Sequence, residues 1–482
     1  MNCRWFEPAG PVALPMAVQL QYTSRVEKTI PVRLIDSLAT TEAMARIFSD
    51  ESVLRAMLDF EIALARAEGE LNIIPQAAAD AVVKAAKVDT FDGAALAAAT
   101  PPAGTPAIPF VKALTEKVAA LNSGVSQYVH WGATSQDVCD TALVLLLKQA
   151  WPHLRADLER LRAALRRLAE QHKNTVMLGR TLMQPAPPVT FGLKAAGWLA
   201  AITRSGERLI RSVQMGLVLQ FGGASGTLAA LGQRGIAVAQ ALARELDLAM
   251  PDAPWHTHRD RLAGVVCDCG ILLGCVGKLA QDILLLMQSE VAEVAEPSGA
   301  ERGGSSTMPH KKNPVGCTVA LAAVNRVPGL VASFLSCMSQ EHERAAGGWQ
   351  AEWKIVSDLM GATAMALSAM AEVAEGLTVS AARMRANVES TRGLIFAERA
   401  MMLLAGKLGR EKAHHLLEQA LRQSAEQQRR LADVLSGYPE VRDQIGAALA
   451  DLEDPRQYLG SAEEFRKRLL ASSENTDIER KD

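Results

Sequence analysis

Residues 303–314 read Gly-Gly-Ser-Ser-Thr-Met-Pro-His-Lys-Lys-Asn-Pro and separate two long apolar segments, which predicts a loop between two helices. The two leading glycines leave the backbone nearly unrestrained, which suits a segment that moves over a bound ligand. Asn313 and Pro314 have the residue types of a helix N-cap and of a first helical position, so we expect a helix to begin beside Lys311. Such a helix end would hold an anion, and an ordinary polar loop is the alternative.

The length and composition predict a globular protein built mainly from helices. At 482 residues the chain exceeds the usual size of a single core, so two or three domains are expected. Hydrophobic residues make up 49% of the chain and aromatic residues only 4%, which favours close-packed helices over strands. The net charge of -2 implies neither a nucleic acid nor a membrane surface as partner. The seven cysteines include no Cys-x-x-Cys pair, which predicts reduced thiols in a cytoplasmic protein.

Apolar residues recur at helical spacing through most of the chain, beginning with a helix that Ser49 caps. Several long segments are apolar on more than one face, which predicts a homo-oligomer. The apolar segment around 262–295 carries Asp268, Lys278 and Asp282, so we expect a core helix rather than a membrane span. The predicted divisions are an irregular extension at 1–37 without signal-peptide order, an N-terminal helical domain at 38–128, a central long-helix domain at 129–375, a C-terminal helical domain at 376–470 and a polar tail at 471–482.

A second polar cluster, residues 130–137, lies just before a long predicted helix. Thr134, Ser135 and Gln136 could hold a carboxylate there with their side chains and backbone N–H groups. The structural alternative is an N-cap by Ser135 or Asp137, with His130 packed on a tryptophan.

Three further clusters carry basic or glycine-rich residues. In the segment 179–185, prolines disfavour a helix, and the Arg180 guanidinium suits either a carboxylate ligand or an ordinary ion pair. His256 and His258 lie two residues apart, on opposite sides of a helix, which argues against a metal site. The turn at 222–227 only superficially resembles a phosphate loop, because no strand precedes it. The charged run 340–353 is either a solvated turn or, since tryptophans bracket its glycines, the edge of a packed site.

The loop matches the Gly-Ser-Ser-x-Met-Pro-x-Lys-x-Asn-Pro pattern of the fumarase/aspartase superfamily without a gap, and the chain resembles that superfamily over about residues 38–460. The resemblance implies an all-α subunit of three helical domains with a central long-helix bundle, a homotetramer, and active sites built from three subunits. Members cleave or form a bond β to a carboxylate. The resemblance also implies that Ser305 exchanges the proton next to that carboxylate, that Lys311 and Asn313 stabilise the developing charge, and that the substrate is a small polycarboxylate. The remaining candidate substrate-binding residues are His130, Thr134, Ser135, Gln136, Arg180, Thr181, Gln184, Trp255, Arg259, Ser306, Met308, His342 and Arg344.

Leu182 narrows the expected reaction. The amine-releasing lyases of the superfamily carry a histidine at this position, and leucine cannot donate a proton to a leaving amine. The segments 254–260 and 341–353 resemble the lactone-forming cycloisomerases of the superfamily, in which a substrate carboxylate adds to the substrate's own double bond. We therefore expect a cycloisomerase that needs neither metal nor cofactor. A β-elimination lyase that releases fumarate and a non-catalytic scaffold are the alternatives, and the Ser305, Lys311 and Asn313 set weighs against the scaffold.

Overall fold

The computed structural model describes residues 33–298 and 311–478, with side chains described as far as residue 473. These residues form an all-α fold with two small two-stranded sheets. The helices are α1 (Glu42–Ile47), α2 (Asp50–Glu70), α3 (Gln76–Ala85), α4 (Gly93–Ala103), α5 (Ala107–Leu121), α6 (Ser135–Gln171), α7 (Phe191–Gly216), α8 (Gly235–Leu246), α9 (Asp260–Leu286), α10 (Val315–Ser336), α11 (Gly348–Gly376), α12 (Ala381–Ser390), α13 (Ala397–Leu408), α14 (Arg410–Gln427), α15 (Leu431–Ser436), α16 (Pro439–Leu449) and α17 (Ala462–Ile478). The strands are β1 (Val176–Thr181), β2 (Gln184–Thr190), β3 (Val294–Ala295) and β4 (Thr378–Val379).

The first long helix confirms the capping argument. The Ser49 hydroxyl accepts a hydrogen bond from the Ser52 backbone at 3.3 Å, so α2 begins directly after its predicted cap. Two acidic residues follow in the first turn, where the positive end of the helix dipole favours them. The apolar stripe of α2 is buried, and the helix ends just before Asn72, whose φ of 53° no helix can continue.

Five long helices, α6, α7, α9, α10 and α11, pack against one another in a bundle. Trp198 of α7 donates to Asp282 near the end of α9, and Gly216 at the end of α7 lies against Val265 near the start of α9, so these helices are antiparallel. Glycines at positions 270 and 277 let α9 approach α10 closely, also antiparallel. In contrast, α6, α9 and α11 all begin at the same end of the bundle. We call that end the Asp137 end, and the opposite one the Arg180 end.

The hairpin formed by β1 and β2 is an exception to the composition of the chain, which favours helices over strands. Its strands pair in antiparallel register from Val176 with Thr190 to Thr181 with Gln184, with an irregularity after Leu178. Prolines hide the pattern because they interrupt both alternation and hydrogen bonding. They are tolerated because in a two-stranded sheet each strand is an edge strand with one side free of partners.

Within residues 33–298 and 311–478, two helices, α9 and α10, are long and apolar enough to cross a membrane by length and composition alone. In α9, 61% of the most apolar window is buried within the chain, which fits the predicted core helix. In α10 the corresponding share is only 28%, and Val315 and Leu335 are exposed. The outer face of α10 is thus apolar but uncovered in a single chain. A separate hydrophobic cluster spans residues 400–452 within the predicted C-terminal region, although the domain boundaries themselves stay predictions.

Candidate active site

Asp137 is the centre of the polar network where α6 begins. Its buried carboxylate accepts hydrogen bonds from the backbone N–H groups of Thr134 (3.0 Å), Gly222 (3.0 Å) and Gly223 (2.9 Å). The Nε2 atom of His256 lies 2.7 Å from it and donates as well. Gly223 has a φ of +70°, and a Cβ there would lie 2.8 Å from the carbonyl oxygen of Gly132. The turn that resembles a phosphate loop therefore encloses a carboxylate of the protein itself.

Arg259 is also held entirely by internal partners. The residue is 1% exposed, its guanidinium contacts Asp140 at 2.8 Å and Glu352 at 2.6 Å, and its Cζ atom lies 4.7 Å from the ring centroid of Trp255. Burial acts to lower the pKa of Arg259, but the two carboxylates outweigh it and raise that pKa. Burial in turn raises the pKa of Glu352, with Arg259 opposing. This triad ties the starts of α6, α9 and α11 together, and it leaves Arg259 without a free donor for a substrate.

Arg344 differs from Arg259 because, among the described residues, it donates hydrogen bonds only to neutral groups. The guanidinium donates to the Gln136 side chain at 2.9 Å and to the carbonyl oxygens of Gly223 at 3.3 Å and Ala224 at 2.7 Å. Gln136 is fixed in turn, since its amide nitrogen donates to Asp140 at 3.0 Å and to the His256 carbonyl at 2.7 Å. The arginine is half-buried and rigidly aimed, yet its charge is not neutralised by these partners. It is therefore suited to a substrate carboxylate.

His130 is bound to a buried acid and is not packed as the structural alternative proposed. Its Nδ1 atom lies 2.6 Å from Glu61, which is 1% exposed, whereas the Trp131 ring packs in a tilted arrangement on Tyr128, with the ring centroids 5.6 Å apart. Burial acts to lower the pKa of His130, but the Glu61 carboxylate outweighs it and raises that pKa. Glu68 lies two helical turns after Glu61 on α2. It is 1% exposed, and neither of its carboxyl oxygens has a hydrogen-bond partner among the described residues. Burial, and then the charge of Glu61, raise the pKa of Glu68 to about 9.

The structure places the other predicted residues of the Asp137 end in two groups. Thr134 and Ser135 are half-buried at the start of α6, and His342 is exposed, with its carbonyl accepting from Thr257 at 2.9 Å. Three others are buried with internal partners: Gln136, Trp255 and Arg259. Their side chains have almost no accessible surface and are held by other parts of the chain, so direct substrate contact by these three stays a prediction. They support the residues that line the site.

Arg180 lies at the opposite end of the bundle, on β1. Its guanidinium makes a two-pronged ion pair with Glu293 at 3.0 and 2.8 Å, and Asn387 donates to the same carboxylate at 2.8 Å. Glu293 is completely buried, so this pair anchors the hairpin to the segment that follows α9. Thr181 and Gln184 flank the hairpin tip and are exposed.

The hairpin tip consists of Leu182 and Met183. Both have positive φ values, 50° and 66°, and both side chains are exposed, at 96% and 66%. A tight hairpin turn requires this left-handed backbone, which glycine and asparagine adopt more readily than leucine or methionine. The tip thus combines backbone strain with exposed apolar surface.

The start of α10 corrects the predicted cap. The helix begins at Val315 with Pro314 in the N-cap position and no side-chain cap, so Asn313 is not the N-cap. Instead, Glu296 accepts hydrogen bonds from the backbone N–H groups of residues 316 and 317, both at 2.8 Å. A carboxylate of the protein already satisfies this helix end, which removes it as an anion site. Lys311 is exposed and Asn313 half-buried nearby, and the predicted Ser305, Ser306 and Met308 lie outside the described residues.

The two groups of candidate residues are far apart within one chain. The 27 residues of α9 separate them, and at 1.5 Å per residue that helix is about 40 Å long. Thr134, Ser135, His342 and Arg344 lie at the Asp137 end, whereas Arg180 and the segment around Lys311 lie at the Arg180 end. A small substrate cannot touch both groups in a single subunit.

Sequence reasoning missed several acids of the site framework. Glu61, Glu293 and Glu296 occur in segments without a motif, and only their position inside otherwise apolar stretches marks them as buried. The spacing of His256 and His258 bears only on a metal site and does not indicate the contact between His256 and Asp137. Among the described residues, no group of three or more His, Cys, Asp or Glu side chains is arranged to hold a metal ion.

Comparison with known proteins identifies the family of the chain and agrees with its all-α fold. The model of the lyase family matches residues 38–329, and that of the adenylosuccinate lyase C-terminus matches residues 393–469. The chain belongs to the lyase family, within the fumarase/aspartase superfamily. It is 48% identical over 442 residues to the 3-carboxy-cis,cis-muconate cycloisomerase of Bradyrhizobium diazoefficiens, covering 92% of this chain and 98% of the relative. It is 48% identical to the enzyme of the same name from Pseudomonas aeruginosa over 91% of this chain and 96% of that one. The crystal structure of the 3-carboxy-cis,cis-muconate lactonizing enzyme from Pseudomonas putida superposes with a TM-score of 0.87 at 46% identity, covering 92% of this chain and 99% of that one.

Proposed function

We propose that this protein is a cycloisomerase that interconverts 3-carboxy-cis,cis-muconate and carboxymuconolactone, in the protocatechuate branch of the beta-ketoadipate pathway. Its similarity over nearly its whole length to enzymes of that name carries the proposal. Leu182 supports it against a fumarate-releasing lyase, because the position offers no proton to a leaving amine. Ring closure needs no such donor, since its nucleophile is a carboxylate that is already ionised. The six cysteines within the described part of the chain are free thiols, which fits a cytoplasmic enzyme.

In the lactonising direction a substrate carboxylate oxygen forms a bond to one carbon of the double bond. The displaced π electrons move to the adjacent carbon and into the carboxylate beyond it, which gives an enediolate-like charge. We assign to Ser305 the proton that the adjacent carbon receives, and to Lys311 and Asn313 the stabilisation of that charge. Arg344 binds a carboxylate at the Asp137 end, supported by Thr134 and Ser135. The Arg259 triad keeps the helices that carry these groups in place.

We also propose that the active site forms only in a homotetramer, from residues of different subunits. The 27-residue length of α9 between the two groups of candidate residues supports this arrangement, since no single chain brings them together. The uncovered apolar face of α10 offers the surface on which copies would pack. The exposed hairpin tip would then be covered as well.

A spectroscopic assay tests the activity. Purified protein is mixed with 3-carboxy-cis,cis-muconate, and loss of the conjugated diene is followed by ultraviolet absorbance, with adenylosuccinate and argininosuccinate in parallel reactions. We expect diene loss with the muconate alone and none with a Ser305→Ala variant. Fumarate release from either succinyl substrate, without diene loss, would favour the lyase instead.

Subunit mixing tests the shared site. Ser305→Ala and Arg344→Met each disable one group of residues, and the two variants are unfolded, mixed in equal amounts and refolded together. If the groups come from different subunits, about a quarter of the sites contain no altered residue, and activity returns. Each variant refolded alone is the control. Mixtures as inactive as the controls would contradict a shared site.

A further inference from the structure

Lys194 is a cation at the Arg180 end that neither the superfamily motifs nor the mechanism above uses. It lies in the first turn of α7, directly after the hairpin that carries Arg180. The side chain is half-buried between the hairpin and α9, and it is close enough for electrostatic interaction with Arg180, Lys278, Asp282 and Glu293. No hydrogen bond or ion pair engages its ammonium group among residues 33–298 and 311–473.

The two nearby carboxylates do not serve as its partners. Asp282 accepts from the Trp198 indole at 2.8 Å with one oxygen and from Lys278 with the other. Glu293 uses both oxygens on Arg180 and also accepts from Asn387. Both carboxylates are therefore already paired with other groups. The three cations Arg180, Lys194 and Lys278 outnumber these two anions, which leaves one positive charge uncompensated. Burial, chiefly, lowers the pKa of Lys194, which is the expected response of an ammonium group that loses water without gaining a partner.

A half-buried, unpaired ammonium is costly unless something binds it. The proposed substrate carries three carboxylates and therefore calls for several cationic groups. Arg259 and Arg180 are neutralised by Asp140, Glu352 and Glu293, so neither supplies a free charge. Arg344 supplies one at the Asp137 end, and Lys311 supplies another beside the loop. The third carboxylate of the substrate is then left without a cationic partner.

We propose that Lys194 binds a substrate carboxylate at the Arg180 end of the shared site. The role of Arg180 is then to hold the hairpin in place through Glu293, and Lys194 is the cation that the substrate meets. This inference rests on the proposed polycarboxylate substrate, although it does not require the ring-closing step.

The test compares Lys194→Met and Lys194→Arg with a matched control, Lys148→Met. Lys148 is also a half-buried lysine on a bundle helix, but Asp247 already pairs with it. A charge-assisted contact to a carboxylate predicts a roughly 10- to 100-fold rise in KM for 3-carboxy-cis,cis-muconate in Lys194→Met, with kcat changed less than about threefold. Lys194→Arg should recover part of the loss, and Lys148→Met should match the wild type.

Calorimetric binding of propane-1,2,3-tricarboxylate, which has no double bond to react, gives a readout independent of turnover. We expect roughly 10-fold or greater weakening in Lys194→Met and none in the control. If the wild type binds the tricarboxylate but does not consume the muconate, the proposed reaction fails while Lys194 is still judged by binding. Unchanged KM and unchanged affinity in a folded Lys194→Met protein would overturn the proposal, as would a wild type that neither binds the tricarboxylate nor turns over the muconate.

Discussion

Replacing Glu68 by methionine should stabilise the protein, increasingly so as the pH rises. The folded chain buries this carboxyl without a partner and raises its pKa from 4.5 to about 9, so at pH 7 it is protonated when folded and ionised when unfolded. Because the folded pKa is the higher one, the stability linked to Glu68 is fully present below pH 4.5 and is lost as the pH rises through 9. At 1.36 kcal/mol per pH unit, the loss at pH 7 is about 3 kcal/mol. Methionine has a similar volume and no ionisable group, so the substitution removes this pH-dependent loss of stability.

Thermal unfolding of the wild type and Glu68→Met at pH 5, 7 and 8.5 measures the effect. With an unfolding entropy of about 2.1 cal/mol/K per residue, about 3 kcal/mol corresponds to a rise of about 3 °C for a chain of 482 residues. We expect about 5 °C at pH 8.5 and below about 1 °C at pH 5. Glu70→Met, on the exposed face of the same helix, is the control and should show no such trend. A difference that does not change with pH would refute the reasoning.

Three further substitutions probe the framework and the site. Glu296→Ala should cost about 2 to 4 kcal/mol, because it leaves two buried N–H groups at the start of α10 without acceptors, and Glu296→Gln should cost less in the same thermal assay. Gly223→Ala should lower the unfolding temperature by forcing a Cβ against a carbonyl oxygen at a positive φ, whereas Gly406→Ala, in open space on a helix, should gain about 0.5 to 1 kcal/mol. Arg344→Lys should raise KM about 10-fold or more with little change in the unfolding temperature, since lysine cannot hold the three carbonyl contacts and a carboxylate together. An Arg344→Lys enzyme with wild-type KM would remove this residue from substrate binding.

The helices could be predicted from the sequence because their signals are local. A capping serine, acidic first turns and the four-three recurrence of apolar residues place α2 within a residue of its observed start. The hairpin could not be predicted, since prolines hide its alternation and its pairing partner is a second segment rather than a local neighbour. The Asn313 cap was wrong for a related reason. Glu296, which precedes the helix by 19 residues, competes successfully for its N–H groups, and no local pattern reveals that.

The sequence motifs located the candidate site, but they did not show which of its arginines are paired with acidic residues. Arg180, Arg259 and Arg344 are equivalent in sequence as possible carboxylate ligands. Only the fold shows that buried acids neutralise two of them and that neutral oxygens surround the third. The acids lie far away in sequence, so their pairing depends on tertiary contacts. Lys194 likewise has no distinguishing motif in the sequence. Only the structure shows that the nearby carboxylates Asp282 and Glu293 are already paired with other residues.

Glu293 and Glu296 flank the two residues of β3, which pairs with β4. Glu293 binds Arg180 of the hairpin, and Glu296 accepts hydrogen bonds from the start of α10. The short strand β3 therefore acts as a spacer of fixed length between these two contacts. Successive side chains of an extended strand point to opposite faces, which is why an odd separation lets the two acids reach in different directions. Inserting or deleting a single residue in β3 would shift one of the two acids by about 3.3 Å and point its side chain to the opposite face. We therefore expect the protein to tolerate changes in the length of β3 less well than changes in its composition.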